Sequence, residues 1–151
     1  MQKLEWSCRN FEALSSVQLY AILKLRTEVF VVEQNCVYQD MDDFDQGALH
    51  VTAYRGNELV CYARLLQPGI KYKEPSMGRI ICALNSRQLG FGKKLVERSL
   101  EYCNENWPDL GVRISAQQQL EKFYAGFGFM TVSEPYLEDG LPHLEMLRDP
   151  S

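Results

Sequence analysis

The stretch MGRIICALNSRQLGFGKKL, residues 77–95, decides the architecture. Its first half, Met77 to Leu84, is an apolar run of the kind found in a strand covered on both faces, and so is expected to lie centrally in a sheet. Arg87, Gln88, Leu89, Gly90, Phe91 and Gly92 then turn the chain, and a helix opens at Lys93 and Lys94. Without side chains at Gly90 and Gly92, backbone N–H groups can converge on one concavity, to which the helix N-terminus adds partial positive charge. Such a nest suits phosphate oxygens. The spacing fits neither G-x-x-x-x-G-K-[ST] nor G-x-G-x-x-G, which disfavours ATP and NAD.

Downstream, Gly92, Leu95, Val96, Leu100 and Cys103 mark the buried stripe of that helix, Pro108 ends it, and Val112 to Ala116 reads as the next strand. Strand, helix, strand implies a parallel pair with a right-handed crossover. A helix near 118–126 ending at Gly128 is expected next. Strands near 129–133 and 143–147 follow, separated by the turn-prone Glu138, Asp139 and Gly140.

Upstream, Leu49 to Tyr54 alternates, Gly56 and Asn57 supply a two-residue turn, and Leu59 to Leu66 resumes, which makes a hairpin. Ser15 or Ser16 can cap a helix whose stripe of Leu19, Ile22, Leu25, Val29 and Val32 runs to about Val32, with Arg26 and Glu28 off the stripe. Leu4, Trp6 and Cys8 suggest a short first strand. The expected fold is one α/β (α+β) domain over 1–151. It has a mixed central sheet, antiparallel at the N-terminal strands and parallel at one pair, with flanking helices.

The chain of 151 residues has 46% hydrophobic and 24% charged residues, enough for a packed core. A formal charge of −4 argues against nucleic acid, whose affinity depends on clustered Lys and Arg. The five scattered cysteines show no zinc spacing and read as reduced thiols. No apolar run has the length of a membrane span or a signal peptide, so no membrane partner and a cytoplasmic location are expected.

The R-x-x-G-x-G of Arg87–Gly92, after a strand and opening a helix, resembles the acetyl-CoA-binding motif of the GNAT N-acetyltransferase superfamily. Phe123-Tyr124-Ala125-Gly126-Phe127-Gly128-Phe129 resembles that family's closing F-Y-x-x-x-G-F pattern. The segment from Leu25 to Asp40, LRTEVFVVEQNCVYQD, is similar to the bacterial ElaA-type branch, in which the position of Val37 is usually proline. The resemblance implies that strands 77–84 and 112–116 splay apart and admit the pantetheine arm of acetyl-CoA. On that reading the cofactor is held by Ile80, Ile81, Cys82, Arg87, Gln88, Leu89, Gly90, Phe91, Gly92, Lys93 and Gln117, largely through the main chain, and no metal is involved. The Cys82 N–H would polarise the acetyl carbonyl, and the Tyr124 phenol would protonate the departing thiolate. Arg87 could equally serve as a cap or ion-pair partner, and Tyr124 could be core.

A lysine-like amine with pKa ~10.4 is neutral about once in 2,500 molecules at pH 7, so a general base worth ~10²- to 10⁴-fold is expected. Glu33, His50 and His143 are the candidates. Glu33 is preferred because it follows the first helix, where the acceptor site of this fold lies, beside acidic segments. Asp40, Asp42, Asp43 and Asp45 lack the EF-hand spacing and are read as a solvated loop or as an attractor for a cationic acceptor. The acceptor is a small amine or a protein amine, and pairing of two copies into a homodimer is possible. A catalytically silent CoA-binding sensor is the rival reading. Transfer of succinyl ranks behind both, since no basic cluster is visible near the acidic loop.

Overall fold

The computed structural model describes residues 3–87 and 89–150. Strands β1 (Glu5–Asn10), β2 (Leu49–Arg55) and β3 (Glu58–Leu66) form an antiparallel meander. Gly56, at φ +63°, begins the tight turn between β2 and β3, as the hairpin reading expects. β4 (Ser76–Cys82) pairs antiparallel with β3 from Cys61↔Cys82 to Leu66↔Ser76. Its parallel neighbour, β5 (Val112–Gln117), meets it in one register pair, Ser76↔Arg113. β8 (Leu141–Arg148) closes on β5, while β6 (Met130–Thr131) and β7 (Tyr136–Glu138) both pair with β8.

Helix α1 (Ser16–Arg26) starts at a capping box in which Ser15 Oγ accepts from Gln18 N at 3.1 Å and Gln18 Oε1 accepts from Ser15 N at 2.9 Å. It does not continue to Val32 as a regular helix. Thr27–Glu33 widens into a π-type turn. Such a turn holds more residues than the 3.6 of an α-helix, so the three-and-four spacing slips. Ile22, Leu25 and Val29 stay buried, whereas Val32 is 70% exposed. α2 (Phe91–Asn106) stops at Trp107, whose non-helical backbone precedes Pro108. The helix expected near 118–126 is shorter, a tight turn over 118–120 followed by α3 (Glu121–Ala125).

The sheet separates two apolar clusters. Leu95, Val96 and Cys103 of α2 and Tyr124 of α3 join Cys61, Ala63, Met77, Ile114 and Met146 on one side. Ile22, Leu25 and Val29 join Leu59, Tyr62 and Ile81 on the other. At roughly 25 cal/mol per Å² of apolar surface, this burial on both faces is what makes the sheet a rigid frame for its one opening. Gly78, Arg79 and Ile80 of β4 are only half-buried, because they border that opening.

Candidate active site

Ser76 begins β4 and Arg113 lies near the start of β5, so the single contact holds the strands at their N-terminal ends and leaves the C-terminal ends apart. The gap is a cleft of about 130 Å³ bordered by Gly78 and Ile80 on one side and Ser115 and Gln117 on the other. Unpaired main-chain groups on two facing strand edges can accept an extended ligand as an added strand. Ile80 and Gln117 line this cleft, as the sequence suggests. Ile81 instead turns its side chain into the cluster beneath α1. The Cys82 thiol lies 3.6 Å from the Cys61 thiol, its partner across β3. A hydrogen bond with Cys61 lowers its pKa, against burial, and Arg87 adds to the lowering.

Beyond β4 the chain reaches the helix-opening glycines. Gly90 adopts φ +78° at the cap of α2, a conformation costly for any side-chain-bearing residue. A Cβ added at Gly92 would meet Cys82 Sγ at 4.0 Å. The first N–H groups of α2, from Phe91 through Lys93, have no helical acceptor and no side-chain cap at Gly90. Leu89 is exposed at the rim. Gln88 lies outside the described residues. Arg87 does not reach into the cradle: its Nη1 and Nη2 donate to the two carboxylate oxygens of Glu33 at 2.5 and 2.8 Å, and its Nε donates to the Cys82 carbonyl at 3.3 Å.

Tyr124 comes from α3, which follows β5 directly. It is 6% exposed, packed edge-on against Phe123 and Phe129, and it borders the cleft. Burial pushes its phenol up to about 12, so it stays protonated at neutral pH. The aromatic stripe is therefore core and cleft wall at once.

The three base candidates fall in different settings. Glu33 is locked in the bidentate pair with Arg87, whose hydrogen bonds hold its carboxyl below the usual range, and it does not line the cleft. His50 is 1% exposed. Its Nδ1 meets Tyr62 OH at 2.6 Å and its Nε2 meets the Asp45 carbonyl at 2.9 Å, so both ring nitrogens are committed. His143 borders the cleft.

The acidic loop departs furthest from the sequence reading. Asp40 and Asp45 are buried, and Arg26, read as off the helix stripe, is fully buried between them at 2.7 Å to each. Arg64 bridges Asp42 and Asp45 at 2.7 and 3.0 Å, and Arg79 reaches Asp40 at 2.7 Å. Despite desolvation, the hydrogen bonds and charge of Arg64 pull Asp42 down to about 2. The segment is thus neither a solvated loop nor a free negative attractor. It also has the basic neighbours that the sequence seemed to lack, because Arg26, Arg64 and Arg79 arrive from three separate elements.

The sequence reading placed the turn at Glu138, Asp139 and Gly140 but not the short strand that enters it. Asp139 (φ +52°) and Gly140 (φ +78°) form a two-residue turn that pairs β7 with β8 and sets Tyr136 opposite His143. Asp-Gly is the strongest short-range hairpin signal and would have pointed to a paired strand over 136–138. Glu138, Tyr136, Ser115 and His143 come together there. Ser115 Oγ donates to Glu138 Oε1 at 3.0 Å and lies 2.6 Å from Tyr136 OH, while His143 Nε2 is 3.5 Å from Glu138 Oε2.

Comparison with known proteins agrees with this architecture. The Acetyltransferase (GNAT) domain family matches residues 12–149. The chain belongs to the GNAT acetyltransferase family. Protein ElaA of Escherichia coli is 43% identical over 148 residues, covering 97% of each chain. The crystal structure of E. coli ElaA superposes with a TM-score of 0.91 at 42% identity over 97% of this chain and 100% of that one. An acyl-CoA N-acyltransferase from Pseudomonas aeruginosa gives 0.93 at 41% identity over 97% and 99%. This is an ElaA-type GNAT acyltransferase with the mixed sheet of that fold. No helix among the described residues is long and apolar enough to cross a membrane.

Proposed function

We propose that this protein transfers the acetyl group of acetyl-CoA to a primary amine by direct attack within a ternary complex. The observation that carries the reading is the single β4–β5 register pair, which leaves between the two strands a cleft bordered by Tyr124. The diphosphate would rest on the amides from Leu89 to Lys93, with Gln88 a further contributor, where the helix N-terminus favours negative charge. The pantetheine arm would pair with the edges of β4 and β5. The Cys82 N–H would donate to the acetyl oxygen as charge builds on it, a preorganised contact that is strongest in the transition state.

Tyr124 serves the leaving group. A phenol near 12 is a firm hydrogen-bond donor but a weak acid toward a thiolate whose conjugate thiol has an ordinary pKa of ~8.5. Its contribution is to donate to the sulfur as the C–S bond lengthens and to pass its proton as charge accumulates there. Five free cysteines suit a reducing compartment, consistent with a cytoplasmic enzyme. The Asp40–Asp45 loop is neutralised by arginine, so attraction of an amine falls instead to Glu138 and Asp139 at the cleft.

The test is release of free CoA thiol over a panel of primary amines, with acetyl-, propionyl- and succinyl-CoA compared and binding of CoA followed by calorimetry. Acetyl-CoA is expected to lead, and Tyr124→Phe is expected to lower kcat by ~10- to 10³-fold with CoA affinity retained. Binding without turnover on any amine would identify a CoA sensor instead. A preference for succinyl-CoA would overturn the donor.

A further inference from the structure

Resting on that proposed reaction, we infer that His143 is the general base that accepts the proton of the attacking amine, and that Glu138 is the positioning residue that holds the imidazole and the amine together. The inference begins with the sheet. Ile114 and Ala116 of β5 and Leu144 and Met146 of β8 point into the core under α2 and α3. By strand alternation, Ser115, Gln117 and His143 point to the opposite face. Tyr124 belongs to the core side. The splay between β4 and β5 lets both sides border one cleft, so Tyr124 and His143 meet it from opposite faces of the sheet. The amine adds to the face of the trigonal thioester carbon, and the thiolate is expelled from the tetrahedral species so formed. A base beside the nitrogen and an acid beside the sulfur therefore serve two different atoms, and groups from two sides of one cleft can reach both.

The second observation is the tautomer. A backbone carbonyl only accepts, so the 2.8 Å contact from His143 Nδ1 to the Leu141 oxygen requires a proton on Nδ1. In the neutral ring the lone pair is then on Nε2, next to the cleft. Only Glu138 Oε2, at 3.5 Å, faces it among the described partners. Two acceptors facing each other across that distance form an incomplete pair that one N–H group, or the two N–H groups of a primary amine, would complete. The Glu138 carboxylate is itself oriented by the hydroxyl of Ser115, and Tyr136 stacks on the imidazole at 6.3 Å between centroids.

The step balances. The nitrogen lone pair of the neutral amine forms the C–N bond, an amine proton passes to His143 Nε2, the C–S bond breaks, and the thiolate receives the Tyr124 proton. Imidazolium then returns a proton to solvent and the phenolate regains one. Amine and thioester become amide and thiol. The imidazolium formed midway is stabilised by Glu138, which is the charge balance of an oriented His–carboxylate pair. The other charged or titratable groups facing this cleft are Tyr124 and Asp139 on the near side and Arg79 and Arg64 on the far side, with Lys71, Tyr38 and Cys36 at its loops. Both arginines are engaged by the aspartates of the loop.

The chain has only two histidines, so ¹⁵N spectra of the whole protein read His143 directly. The expected spectrum of its neutral ring has a protonated Nδ1 and a bare Nε2; a protonated Nε2 would overturn the proposal without any turnover assay. In parallel, wild type, His143→Gln, His143→Ala and Glu138→Gln are compared on the amine of the panel that wild type acetylates best. His143→Gln is expected to lose ~10²- to 10⁴-fold in kcat with KM for acetyl-CoA and CoA affinity unchanged. Added imidazole is expected to restore part of the rate of His143→Ala. The ratio of wild-type to His143→Gln rates against pH cancels the ionisation of the acceptor, and it is expected to fall as pH drops and the imidazole is protonated. Glu138→Gln is expected to lower kcat less and to raise KM for the amine with KM for acetyl-CoA unchanged, a split that a merely structural carboxylate would not give. A CoA-binding His143→Gln protein with kcat within about threefold of wild type, or a flat ratio, would sink the base assignment and leave acetyl transfer standing. Absence of wild-type turnover on every amine would sink the transfer reading itself.

Discussion

The two loops that flank β4 in space are built on different principles. The 34–48 loop is held by side chains: three arginines from different elements engage Asp40, Asp42 and Asp45. The segment before α2 is held by both kinds of bond, with Arg87 paired to Glu33 and the Ala83 N–H donating to Val60 at 2.8 Å, and it ends at Gly90, in the left-handed region, where α2 starts immediately after. One loop spends its polar groups on itself and becomes a rigid wall. The other ends at the head of α2, where the N–H groups from Phe91 through Lys93 have no helical acceptor, the place proposed above for the diphosphate. The difference teaches that abundance of charge in a sequence is a poor guide to binding when the fold supplies counter-charge, whereas a few glycines at a helix start leave a site that nothing internal can fill.

Removing the counter-charge should break the contrast most severely. Arg26→Ala is expected to cost about 3 kcal/mol, because it removes the fully buried arginine between Asp40 and Asp45 and leaves each with one partner, Arg79 and Arg64. Chemical denaturation would read it as a lower midpoint, and an unchanged midpoint would refute the wall. Straining the other loop comes next. Gly90→Val is expected to cost about 1–3 kcal/mol in stability, since a β-branched residue must adopt φ near +78°. It should also weaken CoA binding measured by calorimetry, while the equivalent change at the exposed Val37, to Ala, should alter neither.

Acid should loosen the first loop gradually. Desolvation opposes ionisation of Asp42, yet Arg64 lowers its pKa from 3.8 to about 2. A depressed carboxyl contributes stability that is fully present above its unfolded pKa and lost as pH falls through the folded one. Between about pH 4 and pH 2 a loss on the order of 1–2 kcal/mol is therefore expected from Asp42, with Asp45, also lowered, in the same direction. Thermal midpoints across this range would measure it, and the slope should flatten in Asp42→Asn.

Much of this was legible along the chain. The β2–β3 hairpin, β4, α2 and β5 each carry a local signature: alternation, a two-residue turn, an apolar run, a helix stripe closed by Pro108. The widened turn after α1 carries none, because a π-type turn and an α-helix share residue preferences and differ in spacing. The glycine turn at the head of α2 was legible because glycine acts through its own backbone. The settings of the three base candidates were not: Glu33, His50 and His143 are alike in a linear reading, and only the fold shows that Glu33 pairs with Arg87, that His50 is buried with both ring nitrogens engaged, and that His143 borders the cleft.

By itself, then, the sequence determined the order of strands and helices, the family, and the helix-headed glycine turn, all properties set by residues within a few positions of one another. The tertiary structure alone decided which charges are cancelled, which histidine borders the cleft, and that Tyr124 and His143 approach it from opposite faces. Those outcomes depend on Coulomb attraction and hydrogen bonding between residues from separate elements. Such interactions act over a few ångströms, and only folding brings the partners within reach.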